Sequence, residues 1–194
     1  MSHEDLTPAT IVAFLADIFA RRGAESYLGE AVTMSEHMLQ GAHLAQSEGA
    51  SEELVAAALL HDIGHYTGEF GDDYLEQAID NHHDEAGARV LEQFFPPLVT
   101  ECVRLHVAAK RYLCATDPGY FGKLSDASVK TLALQGGPMS AAEAERFRAS
   151  PHFEAAVRVR LWDEAAKVPD MRVAPFEHYS GLLQRVVDRQ CRPS

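Results

Sequence analysis

Histidine is frequent in this chain, with ten histidines among 194 residues. His37 falls inside a predicted helix, and His61 and Asp62 directly follow the apolar run 56–60. A buried imidazole or carboxylate is costly unless it is hydrogen-bonded, paired or bound to a metal ion. Because helical bundles place metal ligands on facing helices, this pattern indicates a metal site inside a bundle.

Further polar residues stand on predicted apolar faces. His82 and His83 open one predicted helix, and His106 lies among apolar neighbours in the next helix. Asp163 follows a leucine and a tryptophan. A single histidine on an apolar face is more often a hydrogen-bonded core residue than a ligand. The hypothesis of a metal site therefore depends on the combination of these histidines and aspartates. The other histidines, expected at the surface or behind the ligands, are His3, His43, His152 and His178.

Helical periodicity must position these residues. Apolar residues recur at helical spacing between Ile11 and Phe19, behind Thr7 as N-cap and Pro8 in the first turn. Capping boxes begin at Thr33 and Ser140. The other predicted helices are 52–60, about 81–95, about 98–113, one after Ser125, one from Pro151 to about 167, and about 176–189. No strand, repeat or linker is evident, which predicts one all-α domain over residues 1–194.

Composition narrows the class of protein. A formal net charge of -12 argues against nucleic-acid and anionic-membrane partners. Three widely separated cysteines form no disulfide framework, which fits a cytoplasmic location. No uncharged stretch reaches the roughly 18 apolar residues of a membrane helix, and the acidic N-terminus is unlike a signal peptide. The oligomeric state stays undetermined.

Taken together, the pattern H…HD…D resembles the HD-domain superfamily over nearly the whole chain. The resemblance implies a first metal held by His37, His61, Asp62 and Asp163. It implies a second metal held by His83 and His106, with Asp62 bridging the two. His82 competes with His83 for this role. His83 is preferred because the family's ligand stands four residues before a glycine, here Gly87.

Other segments narrow the resemblance within that superfamily. Histidine and carboxylate ligands suit iron, manganese, zinc or nickel. However, the segments 27–30 (YLGE), 106–113 (HVAAKRYL), 124–128 (LSDAS) and 160–163 (RLWD) are similar to those of mixed-valent diiron oxygenases. These include myo-inositol oxygenase, which is considerably longer, and the organophosphonate-cleaving HD oxygenases. The resemblance implies two irons, Fe(II) and Fe(III), with dioxygen as co-substrate.

Several residues beside the ligands suit an anionic substrate. Lys110 lies one helical turn beyond His106, and Arg160 lies three residues before Asp163. His65 and Ser128, which opens a helix whose N–H groups favour anions, complete a donor-rich pocket for a phosphonate. Lys110 and Arg160 are expected to bind this group without holding metal. The alternative is that both lie on a solvated helix face.

The resemblance also implies a reaction. Its substrate is a 1-hydroxy-2-aminoethylphosphonate, possibly N-methylated, which is converted with dioxygen into a carboxylate and inorganic phosphate. Tyr27 is expected to cap the second iron until Glu30 pairs with the substrate amine and draws the loop aside. The alternative for Tyr27 is a structural role under the first helix. Alternative functions are a metal-dependent phosphohydrolase on the same fold and a helical sensor protein.

Overall fold

The structure is a computed structural model that describes residues 6–27, 29–69 and 82–192. Within these ranges it contains nine α-helices and no strand, apart from an isolated bridge between Ser26 and Thr33. The prediction of an all-α fold is confirmed. The α-helices are α1 Ile11–Arg22, α2 Met34–Ser47, α3 Glu52–Leu60, α4 His83–Leu91, α5 Pro97–Thr116, α6 Asp126–Leu134, α7 Ala141–Arg148, α8 Phe153–Ala165 and α9 Phe176–Gln190. Two 3₁₀ segments are Ile63–Glu69 and Phe121–Lys123.

Local capping sets several of these helix starts. The Thr33 hydroxyl accepts from the Glu36 N–H at 3.2 Å, and the Glu36 carboxylate accepts from the Thr33 N–H at 2.7 Å. Ser140 and Glu143 form the same reciprocal pair at the start of α7. Such caps satisfy the otherwise unpaired N–H groups of a helix's first turn. Both predicted capping boxes are therefore confirmed.

Other boundaries differ from the sequence-based expectation. Helix α1 begins at Ile11 with Thr10 as its N-cap, because the backbone at Thr7 instead closes a preceding turn, with its carbonyl accepting from Thr10 at 3.0 Å. Helix α4 ends at Leu91 rather than near Phe95, and the start expected at residue 81 lies outside the described residues. Helix α8 begins at Phe153, since residues 151–152 form a turn.

Helix α3 lies at the centre of the bundle. Its residues Ala56–Leu60 are almost completely buried, and it packs against α2, α5, α8 and α9. A helix that is apolar on all sides is stable only when other elements surround it. The end of α3 therefore delivers His61 and Asp62 into the middle of the molecule.

A glycine–glycine crossing brings α4 against the chain that follows Asp62. A Cβ atom on Gly64 would lie 1.8 Å from the carbonyl oxygen of His83, and one on Gly87 would lie 3.0 Å from the Gly64 nitrogen. Only residues without a side chain allow the two backbones to approach this closely. The crossing therefore holds the first turn of α4 beside Asp62.

The described part of the chain contains no helix with both the length and the apolar character needed to span a bilayer. Cys102, Cys114 and Cys191 are all free thiols.

Candidate metal centre and adjoining cleft

The first group of predicted ligands converges from α2, the end of α3 and α8. The Nε2 atom of His37 lies 3.0 Å from that of His61 and 3.3 Å from Asp163 Oδ1. Asp62 Oδ2 lies 3.6 Å from His37 Nε2 and 3.4 Å from His61 Nε2. All four side chains are buried. The donor atoms of His37, His61 and Asp62 are close enough together to hold a metal ion.

A second group shares Asp62 and adds residues of α4 and α5. The Nε2 atoms of His83 and His106 lie 3.1 Å apart, and they lie 3.5 and 3.4 Å from Asp62 Oδ1. This group could also hold a metal ion. Asp62 thus presents one carboxylate oxygen to each group. His82 is the exposed N-cap of α4 and is absent from both groups of described residues.

Backbone hydrogen bonds orient three of the four imidazoles. When a ring donates its Nδ1 hydrogen to a carbonyl, the neutral tautomer carries a lone pair on Nε2. The accepting carbonyls are those of Ala166 for His37 at 2.8 Å, Ala58 for His61 at 2.9 Å and Val103 for His106 at 2.7 Å. In that tautomer the Nε2 atoms of His37 and His61, 3.0 Å apart, direct lone pairs at the space between them, where a cation would be held.

The carboxylates support the same interpretation. Within the described residues, Asp62 Oδ2 and Asp163 Oδ1 are buried and have no hydrogen-bond partner. A buried carboxylate oxygen without a partner is unfavourable, and a metal ion satisfies it. The other oxygen of Asp163 accepts from Arg160 at 2.5 Å, which turns Oδ1 toward His37 and His61. Nitrogen and oxygen donors in this arrangement fit first-row transition metals.

Charges within the cluster shift its protonation equilibria. Burial opposes the charge on His61, but Asp62 and Asp163 outweigh this effect and raise its pKa to about 9, so a metal ion binds there only by displacing a proton from the ring. Burial would raise the pKa of Asp62, but the charge of His61 and a hydrogen bond from His106 hold it well below its usual range. Burial, followed by the charge of His65, lowers the pKa of His83. The carboxylates therefore stay ionised, as metal ligands must.

A cleft that is open to solvent adjoins the second group. It is lined by every substrate-contact residue predicted from the sequence: Tyr27, Glu30, His65, Lys110, Ser128 and Arg160. Asp62, His83, His106 and Asp163 contribute to the same wall. The cleft therefore joins the candidate metal centre to a set of charged and hydrogen-bonding groups.

Lys110 enters the cleft as a buried cation. Its side chain is 4 % exposed, and Nζ donates to Thr131 Oγ1 at 2.9 Å. Burial, reinforced by the charge of Arg160, lowers the pKa of Lys110 to about 8. The alternative of a solvated helix face is thus wrong for Lys110, and equally for Arg160, which is also 4 % exposed.

Arg160 is occupied by protein acceptors. Its Nε donates to the Tyr120 hydroxyl at 2.7 Å, and its terminal nitrogens donate to Asp163 and Glu164. The guanidinium therefore anchors the candidate ligand Asp163, in addition to lining the cleft.

Two aromatic contacts cover the candidate ligands. The Tyr27 ring stacks on His37, with ring centroids 4.0 Å apart, and His65 stacks on His83 at 4.3 Å. Burial, with the charges of Asp62 and Asp163, raises the pKa of Tyr27, so the phenol stays neutral. Tyr27 contacts the first group through its ring. Its capping of the second metal stays a prediction.

The start of α6 differs in one respect from the expected anion site. Ser128 is the third residue of α6, and its N–H donates to the hydroxyl of the N-cap Ser125 at 3.2 Å. The expected backbone donor is therefore already used, which leaves the Ser128 hydroxyl as the group that faces the cleft. The Ser125 hydroxyl in turn donates to the Glu30 carboxylate.

Sequence reasoning missed the polar residues behind this wall. Glu164 accepts from Arg160, and Lys167 donates to Ser128 Oγ at 2.9 Å. Gln40, which is 1 % exposed, hydrogen-bonds the backbone of Val168. Only Glu164 left a signal, since it follows Asp163 and stands one helical turn after Arg160.

Comparison with known proteins identifies the family of this chain. The model of the HD domain family matches residues 34–140. The chain is 54% identical over 184 residues to the [1-hydroxy-2-(trimethylamino)ethyl]phosphonate dioxygenase (glycine-betaine-forming) of Leisingera caerulea, covering 95% of this chain and 94% of that protein. It is 43% identical over 177 residues to the hydroxymethylphosphonate dioxygenase of Gimesia maris, covering 89% and 86%. The chain therefore belongs to the HD-domain family, and its similarity to these phosphonate dioxygenases extends over nearly its whole length.

Proposed function

We propose that this protein is an HD-domain oxygenase that uses dioxygen to cleave the C–P bond of a 1-hydroxy-2-aminoethylphosphonate, N-methylated or not. The products are inorganic phosphate and an amino-acid-type carboxylate. One observation carries the proposal: a single cleft places the Lys110 ammonium and the Glu30 carboxylate beside the candidate metal centre. A substrate with an anionic and a cationic end matches this arrangement. The names of both relatives support the phosphonate part.

The proposed cofactors are two irons in the Fe(II)/Fe(III) state. His37, His61, Asp62 and Asp163 hold one, while His83, His106 and Asp62 hold the other. When bound, such a pair supplies dioxygen activation and the oxidation of the hydroxyl-bearing carbon. The orphaned carboxylate oxygens and facing imidazoles support this assignment.

Several donors that line the cleft bind the phosphonate. Lys110 contributes an ammonium group, which already donates to Thr131 and has further hydrogens available. Ser128 contributes its hydroxyl. His65 contributes a ring whose Nε2 has no hydrogen-bond partner among the described residues. Arg160 adds positive charge, although protein acceptors engage its nitrogens. Charge-assisted hydrogen bonds of this kind fix a dianion strongly.

Glu30 and Tyr27 line the same cleft. The Glu30 carboxylate faces the substrate ammonium and accepts a hydrogen bond from Ser125 meanwhile. Tyr27 stacks on His37 and covers the centre, with its phenol uncharged. Movement of Tyr27 away from the centre when Glu30 binds the ammonium group would admit dioxygen only after the substrate has arrived.

The deciding experiment measures phosphate release and oxygen uptake by the iron-loaded protein. With a 1-hydroxy-2-aminoethylphosphonate, phosphate release should stop without dioxygen and should equal oxygen uptake in air. Lys110→Met should weaken phosphonate binding by about ten- to a hundredfold, since a charged hydrogen bond contributes roughly 1.5–3 kcal/mol. Lys130→Met, on the exposed side of α6, is the matched control. Equal turnover of phosphate esters without dioxygen would establish a phosphohydrolase instead.

A further inference from the structure

The segment that follows α8 is fixed to α2 on both sides of Lys167. The His37 ring hydrogen-bonds the Ala166 carbonyl at 2.8 Å. The Gln40 amide donates to the Val168 carbonyl at 2.8 Å and accepts from the Val168 N–H at 3.0 Å. These contacts fix the backbone on both sides of Lys167.

Lys167 is not among the residues that line the cleft, but it lies next to two of them, Ser128 and Glu30. Its side chain is 10 % exposed. Nζ donates to Ser128 Oγ at 2.9 Å and to Glu164 Oε1 at 3.0 Å, and it lies 3.9 Å from Glu30 Oε1. Lys167 is therefore a partly buried cation that contacts Ser128, a proposed phosphonate donor, and approaches Glu30, the proposed acceptor for the substrate ammonium group.

The hydrogen bond to Ser128 has a direction. An ammonium group only donates, so Ser128 Oγ must accept. The hydroxyl hydrogen of Ser128 is then free for another acceptor, and its nearest protein acceptor is Glu164 Oε2 at 3.4 Å, a long contact. A phosphonate oxygen in the cleft is the better acceptor. Lys167 thus holds Ser128 as a donor to the substrate.

The proximity to Glu30 has the opposite effect on a cationic substrate. Lys167 offsets part of the negative charge of Glu30, and an ammonium group must bind against that offset. The positive charge of Lys167 favours the binding of a phosphonate that has no ammonium group, because it repels no part of that substrate. An interaction between two charges about 4 Å apart in a partly buried site is large enough to change the ratio of two substrates' dissociation constants by about tenfold.

We propose that Lys167 is a positioning residue that sets the selectivity between cationic and uncharged phosphonate substrates. It orients the Ser128 hydroxyl toward the phosphonate and moderates the attraction of Glu30 for an ammonium group. This inference rests on the proposed function. It extends the site to a residue that does not line the cleft.

The test compares two substrates with the Lys167→Met protein. For hydroxymethylphosphonate, which lacks an amine, the KM should rise about thirtyfold. For 1-hydroxy-2-(trimethylamino)ethylphosphonate, the KM should rise only about threefold. The ratio of the two KM values should therefore change about tenfold in favour of the cationic substrate. Dissociation constants measured by calorimetry without dioxygen should follow the same ratio. Lys167→Arg should restore the wild-type ratio of KM values. Lys130→Met, on the exposed side of α6, should leave that ratio unchanged.

Each outcome decides one of the two claims. If the wild-type protein releases phosphate from neither substrate, the proposed function fails. If the wild-type protein is active but Lys167→Met changes both KM values equally or leaves them unchanged, the inference is overturned, whatever happens to the melting temperature. If Lys167→Met does not fold, Lys167→Gln replaces it, because a glutamine amide keeps a donor for Ser128 and removes the charge. An unchanged substrate ratio in that variant overturns the role in selectivity.

Discussion

Substituting Gly64 by alanine tests how the second group of candidate ligands is assembled. The new Cβ atom would lie 1.8 Å from the His83 carbonyl oxygen, whereas real Cβ atoms stay beyond 3.0 Å. The first turn of α4 must therefore withdraw by about 1.2 Å, the difference between these distances, since backbone cannot yield like a flexible side chain. A functional metal site tolerates ligand displacements of only about 0.2 Å.

The displacement should remove one metal and leave the other. His83 moves with α4, whereas His37, His61 and Asp163 stand on α2, at the end of α3 and on α8. Metal content should fall from about two ions per chain to about one, by the ligand-loss argument. Overpacking costs roughly 1–3 kcal/mol, and about 2–4 °C of melting temperature accompanies each kcal/mol at this chain length. The variant should therefore stay folded.

Elemental analysis of iron- or manganese-loaded protein provides the measurement, with circular dichroism to follow folding. Gly122→Ala is the matched control, because a Cβ atom there meets no other atom within 4 Å. If Gly64→Ala unfolds, Gly87→Ala gives a milder version of the same displacement, from 3.0 Å. A folded Gly64→Ala protein that binds two metals as tightly as the wild type would refute the reasoning.

Three further predictions concern the ligands, the buried lysine and the metals. His83→Ala should lose the second metal while His82→Ala keeps both; the reverse result in metal analysis would exchange their roles. Because burial lowers the pKa of Lys110 to about 8, its ammonium is lost as the pH rises through that value, so phosphonate affinity should fall above pH 8 in the wild type but persist in Lys110→Arg. Removal of the metals by a chelator should lower the melting temperature by several degrees, since a metal present at a hundredfold its Kd stabilises the fold by about 2.7 kcal/mol per site. An unchanged melting curve after confirmed metal removal would contradict the argument that metals satisfy the buried carboxylate oxygens.

Local signals carried most of the fold prediction. The capping box at Thr33 predicts the start of α2 because its hydrogen bonds join residues only three positions apart. The same holds for Ser140 at α7. The start of α1 differs from the prediction because Thr10 Oγ1 accepts from the Thr7 N–H at 2.9 Å and so stabilises a turn before the helix, which sequence alone does not reveal. The polar residues of the centre were recognisable because the side chains around them are apolar.

Long-range contacts could not be predicted in the same way. The position of His83 depends on Gly64 and Gly87 meeting across two elements, although the sequence contains both glycines. Lys167 reaches Ser128 across 39 positions, and Gln40 reaches Val168 across 128. Nothing in the local pattern distinguishes Lys167 from a solvated lysine. Its role follows only from the fixed segment on either side of it.

Arg160 shows how the structure changes an expectation based on spacing. Its position one turn before Asp163 suits either a phosphonate contact or a support for that carboxylate, and the sequence favoured the first. In the structure, the nitrogens of Arg160 donate hydrogen bonds to Tyr120, Asp163 and Glu164. Burial would raise the pKa of Asp163, but the charge of Arg160 holds it well below its usual range. Arg160→Met should therefore weaken metal binding by about ten- to a hundredfold, as loss of a ligand's orienting partner does, whereas Lys110→Met should keep both metals. Competition against a chelator measures this. If Arg160→Met retains both metals at wild-type affinity and loses only phosphonate binding, Asp163 does not need its partner, and the spacing-based expectation stands.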